Sequence, residues 1–235
     1  IFCDSLFYDT EQEQIELLGS VTIRNENQLI TADKGLINNI DGKIKLLKNG
    51  KILSQNHIVR GDLIEIFSNK NKIESLKVYE NGIIISENTG YEKDKNNQNQ
   101  LIINQDILKA EVIELKINEN EMSEIELIGM ASSFIHLYED SLYQGTNEIS
   151  GDKIILKLIN NNATELFSTG GVIGQFIPST SNTSGQEKVD YKAARVQFDT
   201  NSRSSKMYGK ANIIQIGMDL KAAQINIDWK SNILE

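Results

Sequence analysis

The chain has 235 residues, 39% of them hydrophobic and 24% charged, with a net charge of −9, one cysteine, one proline and two histidines. That apolar share is enough to bury one large β core or two small ones. The acidic balance speaks against nucleic-acid binding through a basic stripe, the lone Cys3 rules out an internal disulfide framework and a four-thiolate zinc site, and no apolar run reaches the roughly 18 residues of a membrane helix.

In chain order, "IFCDSLFYD" reads as a strand entered in mid-course, and the last segment, "INIDWKSNILE", ends the same way. The expectation is an excised or processed segment, so the lack of a leader at its start says nothing about compartment. Next comes an alternating run, Ile15-Leu17-Gly19-Val21-Ile23, and then the first full copy of a phrase that recurs to the end. The phrase is a small residue followed by an acid or a second small residue: Ala32-Asp33, Gly61-Asp62, Ala110-Glu111, Gly151-Asp152, Ala193-Ala194 and Ala222-Ala223, with Cys3-Asp4 as a truncated first copy.

Three and five positions after the small residue stand apolar pairs: Ile64/Ile66, Ile113/Leu115, Ile154/Leu156, Val196/Phe198 and Ile225/Ile227. The residues between them are mostly polar, such as Glu65, Glu114, Gln197 and Asn226. The period is therefore two, which puts one face of each strand on a core and the other in water. Asp- and Asn-rich turns follow, and the return strands alternate as well. The repeat spacing is uneven because of two polar, turn-rich inserts, Glu87–Gln100 and Pro178–Lys188, read as loops that can be removed without loss of folding. Glycine inside the return strands, at Gly19, Gly129 and Gly209, marks a bulge or bend, and its recurrence implies a crease across the strands. Parity places the acid of each phrase on the apolar side, which the alternation alone does not explain.

Little chemistry is visible. His57 and His136 have no second histidine or cysteine at ligand spacing, so a zinc site is not expected and structural roles are. "STGGVIGQF" (Ser168–Phe176) opens no helix and so lacks what a phosphate loop needs. Asp190, beside Tyr191, and Asp199 could supply a glycosidase-like carboxylate pair, but acids at strand ends are more often turn residues. Cys3 reads as a small buried hydrophobe rather than a nucleophile. No enzyme, metal or cofactor is expected.

The repeated phrase in "ITADKGLINNIDGKIKLLKNGKIL", "VRGDLIEIFSNKNKIESLKVYENGIII" and "LKAAQINIDWKSNILE" resembles the OstA-like family of lipopolysaccharide-transport proteins. The family includes the LptA-like periplasmic bridge and the N-terminal periplasmic domain of LptD-like outer-membrane proteins. The resemblance covers nearly the whole chain, residues 1–235, apart from the two inserts, and it leaves open which of the two types is at hand. It implies an all-β fold, a β-jellyroll of two antiparallel sheets folded into a V-shaped, open-ended groove. It implies lipopolysaccharide as cargo, with acyl chains shielded in the groove. It also implies partners of the same fold joined by edge-strand addition, a periplasmic location, and outer-membrane contact only through a partner or a following barrel. The groove candidates are Ile64, Ile66, Ile113, Leu115, Ile154, Leu156, Val196, Phe198, Ile225 and Ile227. The edges would be Phe2–Tyr8 and Ala223–Trp229, with Trp229 on the apolar face. Two other readings remain. One is a structural β-solenoid or filament module without lipid, although such arrays keep a steadier period. The other is a carbohydrate-active β-helix, for which aromatics at 6% are too scarce.

Overall fold

Period-two alternation with a single proline leaves almost no alternative to strands, and strands are what form. The computed structural model describes residues 1–24, 28–54, 56–69, 72–94, 97–118, 121–159, 162–179, 187–200, 202, 204–228 and 233–234. It contains β1 (Ser5–Asp9), β2 (Gln14–Arg24), β3 (Gln28–Asn38), β4 (Lys43–Ser54), β5 (His57–Asn69), β6 (Lys72–Lys93), β7 (Asn99–Asn118), β8 (Glu121–Glu139), β9 (Leu142–Ile159), β10 (Asn162–Pro178), β11 (Val189–Asp199), β12 (Ser204–Gln215), β13 (Met218–Asp228) and β14 (Ile233–Leu234). There is no helix among the described residues. The fourteen strands pair in sequence order as one continuous antiparallel sheet.

A crease crosses this sheet, and it explains the recurring phrase. In β2, β4, β6, β8, β10 and β12 the ladder register shifts at two consecutive residues. Both are left-handed in every case: Gly19-Ser20, Lys48-Asn49, Glu80-Asn81, Gly129-Met130, Gly170-Gly171 and Gly209-Lys210. Opposite each pair the neighbouring strand supplies one residue. On β5, for example, Leu63 faces Leu47 and Gly61 faces Gly50, so Asp62 alone opposes Lys48-Asn49. Two residues against one is a β-bulge, which bends the strand and sharpens its twist.

Each word of the phrase has a place in this bend. The small residue lies on the inside, where side chains crowd: a Cβ on Gly61 would collide with Val78, and one on Gly151 would lie 2.8 Å from the Thr169 carbonyl oxygen. The acid lies on the outside, exposed at Asp33, Asp62, Glu111 and Asp152. This corrects the parity argument: two successive residues face outward at the bend, so strict alternation fails there. The acid answers the left-handed pair of the strand that follows it. Asn49 Nδ2 donates to Asp33 Oδ2 at 2.9 Å, and Asn81 Nδ2 donates to Asp62 Oδ2 at 2.7 Å. Where the first left-handed residue is glycine, the carboxylates of Asp4, Glu111 and Asp152 occupy the space a Cβ would take at Gly19, Gly129 and Gly170.

Past the bend the apolar pairs turn inward. Ile64, Ile113 and Ile154 are completely buried, and Ile66, Leu115, Leu156, Val196, Ile225 and Ile227 are buried as well, while Phe198 is half-buried against them. With no helix to cover this face, its cover comes from the sheet itself. The outer face carries cross-strand ion pairs, among them Lys77–Glu114 and Lys116–Glu124 at 2.6 Å, Lys157–Glu165 at 2.8 Å, and the pairs Lys34–Glu16 and Lys153–Glu126. These pin the register more than they stabilise the sheet, because solvent screens charges this exposed. Glu65 is the exception in being buried. It lies between Lys43 Nζ at 3.1 Å and Lys45 Nζ at 3.0 Å. Partial burial pushes its carboxyl up, but the hydrogen bonds and charges of the two lysines outweigh that and hold it below the ordinary range.

The edges follow the expectation in part. β1 pairs only with β2, all five of its residues are exposed, and Phe2 bridges to Thr22 beside it. β13 pairs with β12 along its length but with β14 only at Ile227 and Asp228. Trp229 lies outside the described residues. The insert at residues 87–100 is corrected: Glu87–Lys93 continues β6 and pairs residue by residue with Asn99–Gln105 of β7, so most of it is strand rather than loop. Its polar composition reflects a hairpin projecting past the core, where neither face is buried deeply. Most of the second insert, 180–186 within Pro178–Lys188, lies outside the described residues; Pro178 ends β10, and Glu187 and Lys188 precede β11.

Two outcomes are expected. Gly170 and Gly171 are both left-handed, but a Cβ at Gly171 meets nothing within 4 Å. Gly171→Ala should therefore cost only the left-handed strain of about 1–2 kcal/mol, while Gly170→Ala should cost more by about 1–3 kcal/mol of overpacking. In a urea-melt double-mutant cycle Asp152→Gly, which also removes the Asp152 Cβ that would collide with the new one, should recover that excess; equal melts for the two alanines would contradict the packing described. For Glu65, the depressed folded pKa means its stabilisation is fully present above its ordinary value of 4.5 and lost as pH falls through the lower folded value. Glu65→Gln should cost about 1–2 kcal/mol at pH 7, and the difference from the parent should vanish in acid melts.

Candidate functional site

Aligning strands on the crease shows where the core is not filled. Two positions before the bulge, on the inner face, β2, β4, β6, β8 and β12 carry Leu17, Leu46, Val78, Leu127 and Met207; β10 carries Ser168. Two positions further out the series is Ile15, Ile44, Leu76, Ile125 and Leu166, and β12 carries Ser205. On the other side of the crease, where β2, β4, β6 and β12 carry Ile23, Ile52, Ile84 and Ile213, β8 has the buried Ser133 and β10 has Gly174. These exchanges remove volume from the interior between β8 and β12, and the packing does not close over the loss.

A cavity of about 250 Å³ lies there, partly open to solvent. Side chains from both sides of the crease line it: Leu137, Ile149, Phe176, Val189 and Tyr191 from one, Leu166, Val196, Phe198, Ser205 and Met207 from the other. Tyr191 and Phe198 belong to the same strand and reach the cavity from either side of its bend. Polar groups sit among them. Tyr191 is buried, and its hydroxyl donates to Asn147 Oδ1 at 2.8 Å. Burial raises the pKa of this phenol far above the usual tyrosine range, so it is a neutral donor at any physiological pH. Gly174 is paired with Tyr191 across β10 and β11, and a Cβ there would collide with the tyrosine ring. The glycine thus makes room for the phenol. Tyr138, Glu139, Gln144 and Thr200 complete the lining.

Of the ten groove candidates, Val196 and Phe198 line this cavity; Ile64, Ile66, Ile113, Leu115, Ile154, Leu156, Ile225 and Ile227 are inward and packed in the core, and are not among its lining residues. Sequence reasoning missed Tyr191, Asn147, Ile149 and Met207. The available signal was the break in the repeat, with serine at 168 and 205 in positions otherwise held by large apolar residues, and Ser133 and Gly174 at a position where the other bulged strands carry isoleucine.

The extended β6–β7 hairpin reaches the same end of the sheet. β7 leaves β8 after the Ile107–Phe134 pair, and Tyr91 of β6 then meets the β8–β9 turn, its backbone N–H donating to the Ser141 carbonyl at 2.8 Å. Ser179 Oγ donates to Glu92 Oε1 at 2.6 Å, and its N–H donates to the carbonyl of Gln144, a cavity residue, at 2.9 Å. Asp106 sits at the divergence. One oxygen accepts the backbone N–H of His136 at 2.8 Å and lies 2.9 Å from its Nδ1, and the other accepts from Asn88 at 2.6 Å. The carboxylate replaces the carbonyl partner that His136 loses when β7 peels away. Asn104 Nδ2 donates to the Tyr138 hydroxyl at 2.9 Å, and His136 packs against Phe134 and Tyr143.

His57 Nδ1 lies 2.9 Å from Ser86 Oγ, and burial lowers its pKa. No group of three or more His, Cys, Asp or Glu side chains is placed to hold a metal ion among the described residues. Cys3 is half-buried and free. A comparison with protein-family models and with curated proteins finds no match.

Asp106→Ala should leave the His136 amide and the Asn88 side chain without their acceptor, costing about 1–3 kcal/mol. Hydrogen exchange at the His136 amide should speed up and proteolytic nicking at 94–98 should rise. Unchanged protection would mean that the hairpin is held without this carboxylate.

Proposed function

We propose that the chain is a lipid-shielding transport module of the OstA-like type, acting in the periplasm on lipopolysaccharide. The observation that carries this reading is the cavity whose lining comes from both sides of one crease in an otherwise apolar inner face. In this reading the crease folds the sheet into the two walls of a jellyroll, V-shaped and open at its ends. The bulges set the angle, and acyl chains enter where the walls are least filled. Each methylene taken from water contributes about 0.8 kcal/mol, and a repeated apolar lining gives similar affinity at successive places, which movement along a groove requires. No covalent step is involved in this reading. The exposed β1, with Leu6, Phe7 and Tyr8 all more than half exposed, and the outer edge of β13, paired among the described residues only at Ile227 and Asp228, are the places where another jellyroll would add a strand.

The full burial of Ile64, Ile113 and Ile154 favours a second reading, a structural β module whose interior is filled by its own side chains. Photo-crosslinking separates the two. A crosslinker at Val196 or Phe198 should label lipopolysaccharide, and one at Gln197, between them on the outer face, should not. Under the transport reading Ile64 and Ile154 also label when cargo is loaded, while Glu65 and Ile155 do not. Equal labelling from both parities, or none from Val196 and Phe198, would leave the structural module as the correct account.

A further inference from the structure

We propose that Asn49-Gly50 and Asn81-Gly82 are sites of spontaneous deamidation, suppressed while the bend is closed and, once modified, unable to re-form it. The inference is independent of what the interior holds.

The bend itself demands this dipeptide. In the left-handed pairs Lys48-Asn49 and Glu80-Asn81, asparagine takes the second place, with φ of 54° and 57°. Both asparagines are exposed. The amide of Asn49 donates to Asp33 Oδ2 at 2.9 Å, and that of Asn81 donates to Asp62 Oδ2 at 2.7 Å. The residue that follows each lies on the crowded inside of the crease. A Cβ at Gly50 would lie 3.1 Å from the Gly61 carbonyl oxygen, and one at Gly82 would lie 2.9 Å from Ile113 Cγ1. Asparagine is followed by glycine at these two places and nowhere else in the sequence.

The chemistry needs only water. With no side chain on glycine to shield it, the glycine backbone nitrogen can attack the asparagine Cγ. The N–Cγ bond forms, the Cγ–Nδ2 bond breaks, and ammonia leaves with the proton from the glycine nitrogen. Water then opens the cyclic imide to aspartate or isoaspartate, whose new carboxyl group ionises at neutral pH.

Two features of the fold hold this reaction back. Ring closure needs the glycine nitrogen beside the asparagine Cβ. In the left-handed conformation, with ψ of about +47°, that nitrogen points away from Cβ. The side-chain amide is also tethered outward, to the acid of the preceding strand. Local opening of the bulged strand removes both restraints. Modification then works against closure. Aspartate at 49 or 81 has lost the amide donor and sets a second carboxylate against Asp33 or Asp62, where like charges repel. Isoaspartate also lengthens the backbone within the ladder. A chain that opens at β4 or β6 is thereby marked and kept from closing there again.

The full chain is incubated at pH 8, folded and in urea, and peptide mass mapping follows deamidation at 49 and 81. Both sites should react at least about tenfold more slowly in the folded chain. Asp33→Ala should raise the rate at 49 relative to that at 81 by at least about threefold, and Asp62→Ala should do the reverse. The ratio is read within one molecule, so a general loosening that speeds both sites does not imitate it. Asn49→Asp should lower the urea midpoint. Adding Asp33→Asn, which exchanges donor and acceptor, should restore part of the loss. Equal rates in the folded and urea-unfolded chain, a ratio that neither alanine shifts, or an Asn49→Asp protein as stable as the parent would overturn the inference.

Discussion

The whole sheet depends on one local constraint: every second strand from β2 to β12 must hold two adjacent residues in the left-handed region, at a cost of about 1–2 kcal/mol for each that is not glycine. Nothing in a flat ladder would sustain that cost. It is offset because the resulting bend brings the apolar inner face toward cover, and completely burying an isoleucine or leucine contributes about 1.5–3 kcal/mol. The bulges and the core are therefore one device. Without the bend Ile64, Ile113 and Ile154 would stand on one face of an open sheet, and without their burial the left-handed pairs would relax into ordinary strand.

The chain solves the left-handed step in two ways. In β2, β8, β10 and β12 glycine takes the first position, and three of the four glycines sit beneath a carboxylate. In β4 and β6 there is no glycine in the pair, and asparagine takes the second position and donates to the acid. Asparagine tolerates this conformation better than other side chains. Gly50 and Gly82 follow immediately after those pairs and serve a different need, close approach on the inside of the bend.

This division marks how much was legible beforehand. Alternation made the strands plain, because each has one dry face, and Gly19, Gly129 and Gly209 located the crease. The bends in β4 and β6 were harder to see, since Lys48-Asn49 and Glu80-Asn81 look like ordinary polar strand. The acid was misplaced by parity for the same reason, because a bulge breaks the count that parity relies on. The projecting hairpin was missed because composition reports depth of burial rather than backbone pairing, and Glu87–Lys93 pairs fully with Asn99–Gln105 while burying little. Within the site, Val196 and Phe198 were legible as inward residues. Tyr191 and Asn147 were not, because what singles them out is the absence of bulk at Ser168, Gly174 and Ser205, and a missing side chain leaves no period.

The acids face one way along the chain: each meets the bulge of the strand that follows, never the one before. The sheet thus has a direction that its antiparallel strands alone would not give it. The unit that can be duplicated or lost without damage is accordingly a hairpin, one acid-bearing strand with the bulged strand after it. Removing a hairpin restores the same junction, and adding one extends the array in step. Removing a single strand would set two bulges side by side with no carboxylate between them. Arrays built on this rule grow in pairs of strands, and their length can drift over evolutionary time while the cross-section stays the same.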